Sequence, residues 1–373
     1  MTDLLERVKR TIAERHLVDA EAPVLLMVSG GSDSTALAYL ACELRDCGAL
    51  GPVALLHVNH HLRGKDADDD AIFVQKLAEI LGARFFRMDV DVAGKAKETG
   101  ENLEAIGRRE RYTAASDALA HLCLDLSAPL SSGRIMTAHT QDDRVENFYM
   151  RSIVGTGPGG FRSMLYRNGP VVRPLLDVSR EDLRTYIRKR ADADDKNRPV
   201  VQDESGELWR EDATNAHTDR FRAFVRQEIV PLAKERNPQL LDTLCRSMNL
   251  IGDEDDMLDA QAESLMEQVV SWLGRADGED TPRWEDGCVL QPEFGASPLP
   301  MQRRVAFQVL QLILGSDARV ETAAVNAITD GFADGVPISG YTGNIQGDLA
   351  LSANKQGLRI EPMAAYRARR KQG

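Results

Sequence analysis

Val24-Leu25-Leu26-Met27-Val28-Ser29-Gly30-Gly31-Ser32-Asp33-Ser34 is an apolar run broken by two glycines and followed by serines and an acid. Its first five residues read as a short strand. Thr35 to Leu44 reads as the helix that follows, with Gly48 as a stop. The turn between them suits an anion. Adjacent glycines let the backbone approach a ligand and adopt positive φ. The amides entering the helix point at that ligand, and the helix dipole adds to the attraction. Ser29, Gly30, Gly31, Ser32, Asp33 and Ser34 therefore form a candidate phosphate loop, with Ser29 and Ser34 as hydroxyl donors. Asp33 is a carboxylate where an anion should bind, and a bridging Mg²⁺ resolves that conflict. The loop is not a Walker A sequence, because it lacks the lysine and its glycines are adjacent. A Gly-Gly turn with a capping serine is the plain structural alternative.

Outward from this loop, strand and helix patterns alternate to about residue 190. A second apolar run spans Val53 to Val58, a helical pattern Ala71 to Leu81, and a strand-like alternation Phe85 to Val92. Asn102 to Leu119 is helical again, and Ile135 to Ala138 is a short strand. This alternation predicts an α/β fold with a doubly wound parallel sheet. Ligands bind such sheets at the carboxyl ends of the strands. Ser29 onward, His57 to Arg63 and His139 onward each fall at a strand end, so they can converge. The polar stretch Ala191 to Leu208 reads as a surface insertion. We place a first domain at residues 1–216 and a smaller helical domain at 217–373. The second has helical patterns over Phe221–Leu273 and Met301–Leu314, a strand-like tail from Val336, and a frayed basic end from Arg367.

The chain of 373 residues carries a formal charge of −12 and 43% hydrophobic residues. That balance argues against a protein that coats nucleic acid indiscriminately, while leaving room for one basic face. Between Arg144 and Arg190 ten basic residues stand against four acids, as expected of a selective RNA partner, unless those arginines pair internally. The cysteines 42, 47, 123, 245 and 288 form no C-x-x-C pair, which argues for a reducing compartment and against zinc or iron–sulfur ligation. Leu4, Leu5, Val8 and Ile12 make an amphipathic helix, not a signal peptide. No apolar run reaches membrane-spanning length. A soluble, cytoplasmic protein is expected.

Ser29 to Ser34 resembles the SGGxDS fingerprint of the PP-loop ATPases, which cleave ATP between the α- and β-phosphates and adenylate a substrate. Further stretches are similar to the lysidine synthetases within that group. Val58-Asn59-His60-His61-Leu62-Arg63 resembles V-D-H-x-L-R, with Asn59 for the acid. Glu104 to Tyr112 resembles E-x-x-A-R-x-x-R-Y, with Gly107 for Ala. Thr137 to Asn147 resembles A-H-x-x-D-D-Q-x-E-T, with Arg144 for Gln and Asn147 for Thr. Gly155 to Met164 is similar to G-x-G-x-x-G-L-x-G-M, Arg173-Pro174-Leu175-Leu176 to R-P-L-L, and Glu211 to Asn215 to E-D-x-[ST]-N. Arg222 and Arg226 match the paired arginines of R-N-x-[IL]-R, with Ala223 for Asn. The set runs in order from about residue 24 to 232. Many members carry a further C-terminal domain, which this chain is expected to be too short to hold in full.

The resemblance implies ATP and Mg²⁺ as cofactors, and tRNA(Ile) with a CAU anticodon and free L-lysine as partners. It implies ATP contacts from the loop, His60, Arg108 and His139. Catalytic roles fall on Asp33, Asp142, Asp143 and Arg226, with Asp33, Asp142 and Asp143 at the metal. Arg111, Arg162 and Arg222 would touch tRNA. Plain readings remain beside these. His60 and His61 could cap a strand end, Arg108 and Arg111 could pair with Glu104 on one helix face, and Asp142 and Asp143 open a helix, where acids are favoured anyway. Either aspartate could activate the lysine amine. Arg222 and Arg226 could grip phosphate or fix two domains together. Oligomeric state stays open, a homodimer included. The rivals are a tRNA thiolase on the same fold, for which no cysteine lies in a recognised motif, and a non-catalytic nucleotide- or RNA-binding module.

Overall fold

A computed structural model of the chain describes residues 2–61, 65–193, 195–210, 220–275, 282–315 and 318–372. Arg63, the segment Glu211–Asn215 and the expected boundary at 216/217 lie outside the described residues. The chain divides into two units, Met1–Ile251 and Gly252–Gly373.

The first unit opens with α1 (Thr2–Glu14), whose Leu4, Val8 and Ile12 turn inward. Then come β1 (Val24–Met27), α2 (Ser32–Asp46), β2 (Val53–Asn59), α3 (Lys65–Ile80), β3 (Arg84–Asp89), α4 (Val92–Thr99), α5 (Leu103–Asp125), β4 (Arg134–Met136), α6 (Gln141–Val154), β5 (Arg167–Asn168), β6 (Val171–Val172) and α7 (Arg180–Asp192). The sheet order is β3-β2-β1-β4-β6-β5. All pairs are parallel except β5 with β6. Val24, Leu26, Val53 and Leu55 enter one core, with Leu37, Leu40, Leu77 and Leu183. Leu25, Ala54, Leu56 and Ile135 enter the other, with Ala115, Leu119 and Leu122. Both faces of the sheet are covered at its centre, which is why β1, β2 and β4 read as continuous apolar runs, whereas the more exposed β3 alternates. Chain order reverses on either side of β1, and β1 and β4 end at that switch point, where doubly wound sheets bind ligands.

After residue 219 come α8 (Arg220–Phe224), a π-helical turn over Val225–Ile229, α9 (Val230–Arg236) and α10 (Leu240–Val269). Val225, Val230, Leu240, Cys245 and Met248 pack on Val145 of α6. The stretch 191–208 lies mostly at the surface, as expected, yet it is tied to the first core. Val201 is buried and its N–H donates to the Tyr39 hydroxyl at 2.8 Å. Arg190 and Arg198 both pair with Glu43 of α2.

The second unit is less helical than expected. It holds β7 (Val270–Arg275), β8 (Pro282–Leu290), α11 (Pro292–Ala296), α12 (Leu299–Leu314), α13 (Thr322–Thr329), β9 (Phe332–Ala333), β10 (Val336–Pro337), β11 (Thr342–Ile345), β12 (Leu349–Asn354), β13 (Gly357–Pro362) and α14 (Met363–Gln372). Five strands form an antiparallel sheet in the order β11-β12-β13-β8-β7. Val269-Val270-Ser271-Trp272-Leu273 follows α10 with no Gly or Pro between, so helical periodicity runs on past the true helix end. The β-branched and aromatic residues carry the opposite signal, and long-range pairing such as Cys288 with Ile360 decides for strand. The basic end is helical, with Arg369 paired to Glu361. Among the described residues no helix is long and apolar enough to cross a membrane.

Candidate active site

The phosphate loop joins β1 to α2 at the switch point. Gly30 has φ +94°, a region that favours glycine. A Cβ there would also lie 3.3 Å from the Arg210 side chain. Arg210 closes over the loop, its N–H donating to the Gly30 carbonyl at 2.9 Å and its guanidinium to Asp70. Ser34 donates to the Gly31 carbonyl at 3.1 Å and accepts from the Ser29 N–H at 3.2 Å. Thr35 donates to the Gly30 carbonyl. Gly31, at the helix start, has no side chain to cap the first-turn amides. Those donors suit an external anion.

Asp33, on the first turn of α2, faces the starts of α6 and α7. Its Oδ2 accepts from Arg180 Nε at 3.0 Å, and the same guanidinium donates through Nη2 to Asp143 Oδ1 at 3.3 Å. Asp143 closes a capping box on α6, its Oδ2 accepting from the N–H and the hydroxyl of Thr140 at 2.9 Å each. One turn on, Glu146 is buried to 3% of its side chain. It accepts from Arg222 Nε at 2.8 Å and from Arg226 Nε and Nη2 at 2.6 and 3.0 Å. Arg222 also reaches Asp143 Oδ1 at 3.0 Å. Three carboxylates and three guanidiniums thus interlock, with Glu146 the most buried of the six side chains.

Burial raises the Asp33 carboxyl above its ordinary range, against the pull of Arg180. Burial would raise Asp143 too, but Arg180 and Arg222, with His139 and the Thr140 N–H, hold it below the usual range. His139 follows β4 and shares a 2.9 Å hydrogen bond with Thr137. Burial lowers its imidazole to about 4, so it is neutral at pH 7. A neutral ring can accept a proton or hydrogen-bond to a base without adding charge.

The other expected residues are placed less centrally. Asp142 points away from the interlock, its Oδ2 accepting the Arg180 backbone N–H at 2.8 Å and its Oδ1 lying 3.8 Å from Lys234. His60 sits half-buried just past β2, while His61 turns aside to Asp89 at 3.0 Å. Asn59, in place of the acid, accepts the His61 N–H and donates to Asp68. Arg108 is exposed on α5 over the Tyr112 ring, within electrostatic reach of His139. Arg111 is exposed on the same helix. Arg162 lies in the 3₁₀ turn Pro158–Arg162 after α6. The basic stretch 144–190 does not make one basic face, because Arg144, Arg173 and Arg190 are buried and Arg180 serves the interlock.

Sequence reading missed Arg180, Arg210 and the role of Glu146. Glu146 stands three after Asp143 on one helix face, a spacing that was legible. Arg180 follows the capping Ser179, and nothing local marks its reach to a loop 147 residues away.

The donor set fits Mg²⁺ in part. Among the described residues no three His, Cys, Asp or Glu side chains gather as a metal cage. Mg²⁺ needs only one or two carboxylates beside substrate phosphates. Asp33 Oδ2 and Asp143 Oδ1 already face one cation, the Arg180 guanidinium. They could hold the ion, and Asp142, engaged at the α7 backbone, is not aimed with them.

A mostly parallel sheet, a glycine loop at its switch point and facing acids on the next helix define a nucleotide-binding class. A family model described as the PP-loop domain matches residues 2–233, and the chain belongs to that family. Within it, the chain is 39% identical over 245 residues to the tRNA(Ile)-lysidine synthase of Thermus thermophilus, covering 65% of this chain and 42% of that protein. It is 32% identical over 277 residues to the enzyme of the same name from Dehalococcoides mccartyi, covering 72% and 54%. The chain spans about half the length of these curated relatives. A solved U34-tRNA thiolase of Methanococcus maripaludis aligns with TM-score 0.47 and 15% identity, covering 66% of this chain and 78% of that one.

Proposed function

We propose that the chain is an ATP-dependent tRNA-modifying ligase that joins lysine to carbon 2 of the wobble cytidine of tRNA(Ile) with a CAU anticodon, forming lysidine in the cytoplasm. The observation that carries this reading is the meeting of the phosphate loop with the Asp143–Glu146 face of α6 through Arg180, in a chain whose relatives bear that enzyme name. The cytidine O2 attacks the α-phosphorus of ATP and pyrophosphate leaves. The ε-amine of lysine then attacks C2, sheds a proton, and AMP departs.

The first-turn amides of α2 and the hydroxyls of Ser29 and Ser34 bind phosphate, and charge developing on pyrophosphate is stabilised there. Mg²⁺, held by Asp33 and Asp143, would supply further charge neutralisation. Arg226 and Arg222 are held in place by Glu146 and present their remaining N–H groups to phosphate, for which a planar fork is suited. Arg222 belongs with this group, whereas Arg111 and Arg162 remain the candidates for tRNA phosphate. His139, neutral beside Asp143, with Arg108 near it, would line the nucleotide pocket, as would His60. Asp143 meets the phosphate loop through Arg180 while Asp142 is engaged by the α7 backbone, which favours Asp143 as the group that takes the proton of the lysine amine. The anticodon loop offers an already unstacked base.

The test is incubation of the full chain with ATP, labelled lysine and transcripts of candidate tRNAs, followed by nucleoside analysis. Label in a lysidine nucleoside of the CAU isoleucine tRNA, with one AMP and one pyrophosphate each, is expected. In a parallel incubation with sulfide added as sulfur donor, AMP release with sulfur but not lysine incorporated would favour the thiolase, and RNA binding without AMP a non-catalytic module. Either result overturns the proposal.

A further inference from the structure

Arg180 opens α7, where the Ser179 hydroxyl caps the helix by accepting the Asp182 N–H at 3.0 Å. Its backbone N–H is fixed by Asp142 at 2.8 Å. From that anchored start its guanidinium reaches Asp33 on the phosphate loop and Asp143 on α6, with Glu146 at 4.0 Å. Among the described residues Arg180 alone pairs with both Asp33 and Asp143. Its side chain is 22% exposed, and those of the two aspartates 21% and 13%. Two carboxylates drawn this close in a partly dry site repel unless a cation lies between them. Arg222 relieves only Asp143 and reaches back to Glu146, leaving Asp33 to Arg180.

We propose that Arg180 is a stand-in cation, holding Asp33 and Asp143 together before nucleotide arrives and yielding them to Mg²⁺ when ATP enters. This rests on the reading of Asp33 and Asp143 as the metal-holding pair. The exchange follows from charge and geometry. A free divalent ion must displace a guanidinium that makes two charge-assisted hydrogen bonds, so metal alone binds poorly. The triphosphate offers that guanidinium new oxygen partners within a side-chain rotation, because the loop amides that take phosphate lie on the turn that carries Asp33. Metal and nucleotide are therefore taken up together, and neither aspartate is left uncompensated at any stage. Arg180 is a positioning residue in this scheme, one that presets the spacing of the pair and sets the order of binding. Lysine at this position would keep the charge and lose the fork that spans both acids.

The experiment is Mn²⁺ binding to the full chain, followed by electron paramagnetic resonance, with and without a non-hydrolysable ATP analogue, for the natural protein, Arg180→Gln and Arg180→Lys. The natural protein should take up Mn²⁺ weakly alone and about tenfold or more tightly with the analogue. Arg180→Gln should bind Mn²⁺ alone about tenfold more tightly than the natural protein, with most of the nucleotide dependence gone. Arg180→Lys should fall between them. Melting curves on the same samples report folding, and Mn²⁺ without nucleotide should raise the Tm of Arg180→Gln but not of the natural protein. A folded Arg180→Gln that binds Mn²⁺ alone no better than the natural protein overturns the stand-in role while leaving the metal pair intact. If Arg180→Gln does not fold, a folded Arg180→Lys indistinguishable from the natural protein overturns it instead. No Mn²⁺ uptake by the natural protein even with the analogue removes the metal-pair reading, and the stand-in role with it.

Discussion

Glu146 is the residue on which the arginine pair depends. It receives three hydrogen bonds from Arg222 and Arg226 and keeps only 3% of its side chain exposed. Glu146→Ala would leave two cations facing a hole. Each arginine retains about a third of its exposure and can turn to water, so the expected loss is about 3 kcal/mol, the low end for a broken buried pair. Glu146→Gln, which keeps the shape, should lose less. Chemical denaturation of both variants checks this, and equal losses would show that charge rather than shape is what the arginines need. His139 makes a pH-dependent case. Its folded value of about 4 lies below the unfolded value of about 6.5. As pH falls the unfolded chain takes the proton first, so this contribution is intact above about 6.5 and is lost on the way to 4. The unfolding free energy of His139→Asn minus that of the natural protein should therefore be level above pH 7 and climb below it. A level difference down to about pH 4.5 would mean that the imidazole is not held neutral by burial. At this scale the loop glycines, Asp33 and Asp143 were legible, because type and spacing carry their chemistry. The spacing of Glu146 from Asp143 was legible too, but its role was not, because the groups that give it meaning arrive from 76 and 80 residues further on.

Among the elements, α7 ties the site to the scaffold. Ser179 caps it, and the next residue is Arg180. Ser179→Ala should cost about 1 kcal/mol of stability. Because the frayed turn carries Arg180, the analogue-dependent gain in Mn²⁺ binding should shrink as well. Calorimetric melting with a parallel metal titration measures both, and a stability loss with unchanged metal behaviour would show that Arg180 is anchored by Asp142 alone. The π-helical turn at Val225–Ile229 carries Arg226 and precedes Pro231. Sequence periodicity reads a helical pattern across it, since one wide turn is too short to be told apart from the α-helix around it. β5 and β6, two residues each, are too short to carry a pattern, whereas β1, β2 and β4 were legible because both faces of the sheet are covered there, making each a plain apolar run, and β3 by its alternation. β7 and β8 were not, because one runs on from a helix without punctuation and the other alternates only in part.

At the scale of the whole molecule, the formal charge of −12 is not matched by one basic face in the stretch where basic residues are densest. Sequence counts charge, and burial decides which of it reaches solvent. The four buried clusters each fall on one side of residue 251, with Ala262 to Ile360 supplying the second unit's interior. A chain ending at residue 251 keeps Leu240, Cys245 and Met248 against Val145. It should melt in one cooperative transition and bind the ATP analogue within about threefold of the full chain. Absence of a cooperative transition would show that the first unit does not fold alone. Separate interiors also bear on inheritance. A damaging substitution at Val305 opens a cavity among its own neighbours, and the residues around Leu26 are not among them. Recombination within the codons of α10 could then trade one half of the gene for a homologous half, provided the helix keeps its length, with neither interior having to be rematched. Lineages could lengthen or replace the second half with the interior of the first unchanged.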